Sequence, residues 1–336
     1  MKLFLCLLLS PALLIGEETR PTIGSIEVLD PALEKLIASD AKIEVLASGF
    51  DWSEGPAWDK KNSRLLFSDV PQNKIYQWSE KSGLSVYLSP SGYTGPDEYS
   101  REPGSNGLAF DKNGLLHFCE HGDRRVSALT PDRGGKMTVA DRVDGKRFNS
   151  PNDLCLHPDG SIYFTDPPYG LPQGDKDPRR ETWIFGVYRI APDGKVTTVI
   201  SNLDRPNGVA LSPDSKTLYI AQSQDGKAWI LSYPVKADGS LGKETLLYDA
   251  TPLSKELPGA PDGLKTDTLG NIWCTGPGGV LILTAEGKLL GRILTGQRTA
   301  NCGFGDDGST LYMTADSYLL RVKTNVTGTG FENTSP

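Results

Sequence analysis

Residues 105–121, SNGLAFDKNGLLHFCEH, carry a small polar residue with Gly, a short apolar strand, the turn tetrad DKNG and a second apolar strand. The apolar positions alternate over about five residues on either side of the turn, the period of a half-buried β-hairpin rather than of a helix. The same arrangement occurs six times. The other copies are SEGPAWDKKNSRLLFSD from Ser53, PNDLCLHPDGSIYFTD from Pro151, PNGVALSPDSKTLYIAQ from Pro206, PDGLKTDTLGNIWCTG from Pro261 and NCGFGDDGSTLYMTA from Asn301. Their polar anchors, Glu54, Asn106, Asn152, Asn207, Asp262 and Asn301, recur at intervals of roughly 40 to 55 residues, the length of one four-stranded propeller blade. Segments such as VYRIAPDGKVTTVI from Val187 fill the two remaining strands of a blade. The fold class expected is therefore all-β, a six-bladed β-propeller. Helical periodicity is confined to residues 31–38, which argues against a helical solenoid with repeats of this length.

Two strand candidates lie outside the six copies, residues 42–46 before the first and 319–322 after the last; pairing them would close the ring and remove exposed sheet edges. The domain division expected is a signal peptide over 1–16 and one propeller over 17–336, its core about 42–322. Lys2 followed by an apolar run over 3–15, too short to span a bilayer, predicts export to the periplasm or medium without stable membrane insertion. The tail from Thr324 reads as frayed. Two stretches, 88–104 and 167–181, exceed ordinary loop length and are lid candidates.

With 336 residues, 23% charged and 38% hydrophobic, the chain has material for a large core. A formal net charge of −7 provides no basic surplus to neutralise phosphates, which excludes a nucleic-acid partner. Beyond the apolar leader stand Cys119, Cys155, Cys274 and Cys302, each in or beside the apolar strand of a different repeat. Two disulfides are formally possible, but four buried free thiols fit the spacing better. A closed ring needs no partner to bury its edges, so a monomer is expected.

In a propeller the innermost strand of each blade lines the central channel, so the anchors form a ring at one of its faces. Each Asn-Gly or Asp-Gly pair alone is ordinary turn chemistry. A turn does not require Glu54, however, and Glu54, Asn152, Asn207 and Asp262 at one repeat register make an oxygen-only ligand set. Carboxylate and amide oxygens without His or Cys select a hard cation of irregular coordination, Ca²⁺ before Mg²⁺, Mn²⁺ or Zn²⁺. A central metal site is thus part of the expected fold. No G-x-S-x-G elbow is present, and His117, His121 and His157 are the three histidines, so a Ser-His-Asp hydrolase has no support.

The segments SEGPAW around Glu54, CEHGDRRV around His121, RFNSPNDL around Asn152, RPNGVALSPD around Asn207, APDGLKTD around Asp262 and TANCGFG around Asn301 resemble, in order and spacing, the SMP-30/gluconolactonase/luciferin-regenerating-enzyme family of regucalcin-like sugar lactonases. The resemblance covers about residues 42–322. It implies a metal held by Glu54, Asn207 and Asp262, with Asn152 touching metal or substrate and Asp262 transferring the proton. The implied reaction is opening of a small-molecule sugar lactone such as gluconolactone, because a cation that polarises the lactone carbonyl and activates water makes a nucleophilic side chain unnecessary.

Other candidates rest on position alone. His121 ends a strand at the channel face and is a candidate for proton transfer or substrate binding, against a satisfied structural histidine. Asn106, Asn152, Arg124 and Tyr169 are the substrate-contact candidates, and a salt bridge is the expected fate of at least one of Arg124 and Arg125. Trp183 flanks the second lid candidate and is assigned to core packing rather than to a sugar face. Phosphotriester hydrolysis at the same site and a non-catalytic binding propeller with a structural cation stay open as alternatives.

Overall fold

A computed structural model describes residues 20–130 and 134–331. The leader over 1–16 and the last five residues of the tail lie outside the described residues.

Among the described residues six antiparallel sheets of four or five strands succeed one another along the chain, beside one two-stranded ladder, Arg142–Val143 with Lys146–Arg147. Blade 1 comprises Ser53–Asp59, Arg64–Asp69, Lys74–Ser79 and Gly83–Leu88; blade 2 comprises Ser105–Phe110, Leu116–Glu120, Arg125–Leu129 and Lys136–Ala140. Blade 3 runs Leu154–Leu156, Ile162–Asp166, Gly186–Ile190 and Val196–Ile200, and blade 4 runs Pro206–Leu211, Thr217–Gln224, Lys227–Pro234 and Thr245–Asp249. Blade 5 has Leu264–Thr266, Ile272–Gly276, Gly279–Leu283 and Leu289–Leu294, and blade 6 has Thr299–Gly305, Thr310–Ala315 and Tyr318–Lys323. The first strands of successive blades touch, and that of blade 6 also packs on that of blade 1. The result is a closed six-bladed propeller.

The early strand, observed as Glu44–Ser48, pairs antiparallel with Tyr318–Lys323 and supplies the outermost strand of blade 6. A second early strand that the sequence pattern does not announce, Ser25–Val28, adds a fifth strand to blade 5. Between them the helical pattern over 31–38 becomes a short 3₁₀ helix, Pro31–Lys35, capped by the Asp30 side chain and anchored by buried Leu33.

Among the described residues one apolar cluster lies at each junction between blades. Phe67 packs with Tyr312 between blades 1 and 6, whereas its neighbour Leu66 packs with Phe118 between blades 1 and 2. Trp273 likewise faces blade 6 while Ile272 and Cys274 face blade 4. Successive strand residues point to opposite faces, and here both faces are covered by a neighbouring blade. Runs such as LLF, IYF and IWC are therefore continuously apolar.

Three expectations need correction. The tail is packed as far as Phe331: Asn325 N donates to Leu36 O at 2.8 Å, Thr329 N donates to Thr266 O at 2.9 Å, and Val326 and Phe331 are buried. Its segment NVTGTG looks polar, but backbone bonds and two apolar side chains seat it against blades 5 and 6. Trp183 is 75% exposed, with the Arg180 guanidinium 5.4 Å from its ring centroid, because it projects from a loop rather than from a strand. Of the four thiols, all free, Cys155 is only partly buried.

Candidate functional site

The anchors gather at one mouth of the channel, and the backbone shows why. The pairing register shifts between Glu54 and Ala57, between Ser105 and Leu108, between Pro206 and Val209, and between Thr299 and Asn301. Each anchor in blades 1, 2, 4 and 6 thus sits at an irregularity that turns its side chain out of the pleat and toward the axis. In blades 3 and 5 the first strand begins two residues after Asn152 and Asp262, which frees those side chains in the same way. The following glycine lets the inner strands close up. Gly55 has φ of +53°, and a Cβ on it would lie 2.2 Å from the Asn106 carbonyl oxygen.

Glu54, Asn106, Asn152 and Asn207 are 2–4% exposed, and Asp262 is partly exposed. Glu54 Oε2 accepts from Gly55 N at 3.0 Å. Burial, and next the charge of Asp153, push the Glu54 carboxyl up to about 8. Burial again, then Glu54, Asp153 and Glu102, hold the Asp262 carboxyl far above the ordinary range. Several acidic side chains therefore crowd the site and raise one another.

The amides complete the picture. Asn207 donates from Nδ2 to Ser223 Oγ at 2.9 Å, which leaves its Oδ1 buried without a partner; Asp262 Oδ1 and Asn106 Oδ1 are also buried and unpartnered. Buried acceptors of this kind are costly unless a donor or cation meets them. Among the described residues no three His, Cys, Asp or Glu side chains form a ligand group on their own, so any cation here needs the amide oxygens. Oxygen donors without nitrogen or sulfur, three of them orphaned and the carboxylates mutually repelling, fit a hard divalent ion.

His121 is fully buried just beyond the strand Leu116–Glu120. Its Nδ1 lies 3.2 Å from the Glu102 carbonyl oxygen, which can only accept, so Nδ1 carries the proton. Nε2 is then an acceptor facing Asn106 Nδ2 at 3.4 Å. Burial depresses the imidazole to about 4, keeping it neutral. Tyr169, from the 167–181 loop, lies near enough to Asp262 that the carboxylate adds to the effect of burial in raising its phenol. Gly170 packs against the His121 ring, so this loop borders the site.

The remaining predicted positions separate. Arg125 pairs with Glu120 at 3.1 Å and Asp123 at 3.2 Å, the structural fate expected of one of the two arginines. Arg124 donates from Nε to the carbonyls of Phe148 and Asn149. His117 lies beside Asp111 and His157 caps a hairpin turn beside Asp159, both away from the anchors.

Two residues of the centre were not among the predicted site residues. Asp153 is 2% exposed and occupies the place held by Gly in the PNG and PDG copies. Asn301, an anchor with no role foreseen, points its Nδ2 at Asp153 Oδ2 across 3.5 Å and also bonds toward Glu54, so one amide spans two carboxylates. The Gly-to-Asp replacement in the third copy is the sequence signal that could have flagged Asp153.

The profile of the SMP-30/Gluconolactonase/LRE-like region matches residues 52–317. A gluconolactonase from Zymomonas mobilis subsp. mobilis is 39% identical over 313 residues, covering 91% of this chain and 88% of the relative. The structure of a gluconolactonase from Xanthomonas campestris superposes with a TM-score of 0.78 at 30% identity, covering 92% of this chain and 99% of the other. Regucalcin from Xenopus laevis is 29% identical over 285 residues, covering 82% of this chain and 87% of that relative. The chain belongs to the SMP-30/gluconolactonase/LRE-like family and is a lactonase built on a six-bladed propeller.

Proposed function

We propose that this lactonase opens a sugar lactone of the gluconolactone type at the ring of anchors, with one divalent cation, Ca²⁺ fitting best, held by Glu54, Asn152, Asn207 and Asp262. The observation that carries the reading is the set of orphaned oxygens, Asn207 Oδ1 and Asp262 Oδ1, beside a Glu54 carboxyl raised by burial and like charge. When bound, the cation supplies charge to offset these carboxylates and to polarise the lactone carbonyl.

Asp262, partly exposed at the mouth, takes the proton as the oxygen of a water attacks the carbonyl carbon. It returns that proton to the ring oxygen as the C–O bond breaks, so the product is the open hydroxy acid. Asn152 and Asn106 meet the substrate. His121, neutral with its Nε2 lone pair toward Asn106 Nδ2, fixes that amide so that Oδ1 faces the substrate. Tyr169 covers the site from the loop side.

The test is turnover of a small aldonolactone panel by chelator-treated protein with Ca²⁺, Mg²⁺, Mn²⁺ or Zn²⁺ restored, alongside calorimetric metal binding. Hydrolysis should return with the metal, and Glu54→Gln and Asp262→Asn should lower it by roughly 10² or more. Full turnover in the chelated protein, or wild-type rates in Asp262→Asn, would overturn the reading.

A further inference from the structure

Beside the anchor ring, on the same face, lies a cavity of about 440 Å³ between blades 2 and 3. Gly122, the residue after His121, forms part of its wall, and Arg124, also in the wall, bonds the Asn149 carbonyl three residues before Asn152. Cavity and ring therefore share two stretches of chain. Arg124, Arg147 and Arg179 line it together with Tyr99. Arg124 is 6% exposed with Nη2 unpartnered, and Arg147 Nε and the Tyr99 hydroxyl are likewise buried without a partner. Among the described residues neither Arg124 nor Arg147 has a carboxylate within ion-pair distance, and for Arg179 the nearest is Asp177 at 3.9 Å.

The two acidic residues in the wall are already engaged. Asp123 pairs with Arg125 at 3.2 Å and accepts from Thr94, and Asp141 lies 3.5 Å from Arg142. Arg147 repels Arg124, Asp166 and Glu181 offset that charge only from beyond ion-pair distance, and the unused donors, Arg124 Nη2 and Arg147 Nε, suit the oxygens of a planar or tetrahedral anion. The cavity is larger than such an anion needs, and Tyr93, Thr94 and Thr138 complete a wall suited to a hydroxylated chain.

We infer that this arginine cavity receives an anionic group, carboxylate or phosphoryl, carried by the sugar lactone at the end remote from its carbonyl, so that the substrate class is an acidic rather than a neutral lactone. The inference rests on the lactone reading of the central site. It adds an electrostatic handle that the neutral substrate lacks.

The experiment compares kcat/KM for a neutral aldonolactone and for its terminally carboxylated or phosphorylated counterpart, at fixed ionic strength, in wild type and in the Arg147→Gln/Arg179→Gln double variant. Unfolding curves of both proteins verify the fold. The wild type should prefer the acidic lactone by about tenfold or more, mainly through KM, the scale of one charge-assisted hydrogen bond. That preference should collapse in the double variant and weaken with salt. Equal kcat/KM for the two lactones in wild type, or a preference that the double variant retains, overturns the inference. Inorganic phosphate titrated by calorimetry separates the other source of the anion: phosphate that binds through the arginines without competing against the acidic lactone also overturns it. If neither lactone is opened by wild type, the lactone reading has failed; phosphate heat that vanishes in the double variant then still supports an anion site, and absence of heat removes it.

Discussion

Asp153 is the residue whose chemistry most departs from its repeat. Where the fourth and fifth copies place Gly beside the next blade, the third places a buried carboxylate facing Asn301, and its charge raises both Glu54 and Asp262. In the metal-free protein this repulsion costs stability that a bound cation would recover. Asp153→Asn keeps the shape and an acceptor for Leu154 N, which Asp153 Oδ1 now meets at 2.9 Å. The variant should melt higher than wild type in chelator, yet bind the cation about tenfold or more weakly, as losses next to a metal site usually do. Thermal unfolding with and without metal checks both; a lower melting point in chelator would contradict the repulsion argument. At His121 the issue is acceptor character. His121→Gln should retain part of the turnover through an acceptor oxygen toward Asn106, whereas His121→Phe should lose more, measured as kcat on a neutral lactone at constant pH.

The element that recurs is the second strand of blades 1, 3, 4 and 5, which latches its neighbour by a hydroxyl. Ser68 Oγ donates to Asn106 O at 2.9 Å, Thr165 Oγ1 to Asn207 O at 2.6 Å, Ser223 Oγ to Pro261 O at 2.6 Å and Thr275 Oγ1 to Ala300 O at 2.9 Å. The carbonyls so held belong to anchors or to residues just before them, so each latch fixes both a blade junction and the aim of a site oxygen. Thr165 also accepts from Asp153 N at 3.2 Å. Thr165→Val preserves volume and leaves the Asn207 carbonyl short of a buried donor, a loss of about 1–3 kcal/mol. Denaturant midpoints should fall accordingly, and metal affinity should fall with them. A midpoint equal to wild type would show that the latch is dispensable.

The whole ring depends on closure by the early strand. Without Glu44–Ser48, the strand Tyr318–Lys323 would present an unpaired edge, and the ion pair that Arg321 makes with Glu44 at 2.7 Å would go. A chain beginning at Asp51 would also lose Leu33 and Ile37 from the blade 5–6 core and Phe50 from the blade 6–1 core. It should elute in size-exclusion chromatography as soluble aggregate or fail to stay soluble. A monomer that unfolds cooperatively would show that ring closure rests on the inner strands alone.

The repeat count, the turn chemistry, the closing strand and the ring of anchors could all be read along the chain. Each depends on local alternation and on a register repeated every blade, and periodicity reports such features directly. Glu54, Asn207 and Asp262 were legible because a propeller sends equivalent positions to one place. The pairing of Asn301 with Asp153, the seating of the tail on blades 5 and 6, the exposure of Trp183 and the arginine cavity between blades 2 and 3 were decided only in three dimensions. For the pairing, the tail and the cavity the partners lie far apart in the chain, 291 residues for Asn325 and Glu34, and no local pattern encodes which distant surfaces meet once the ring has closed.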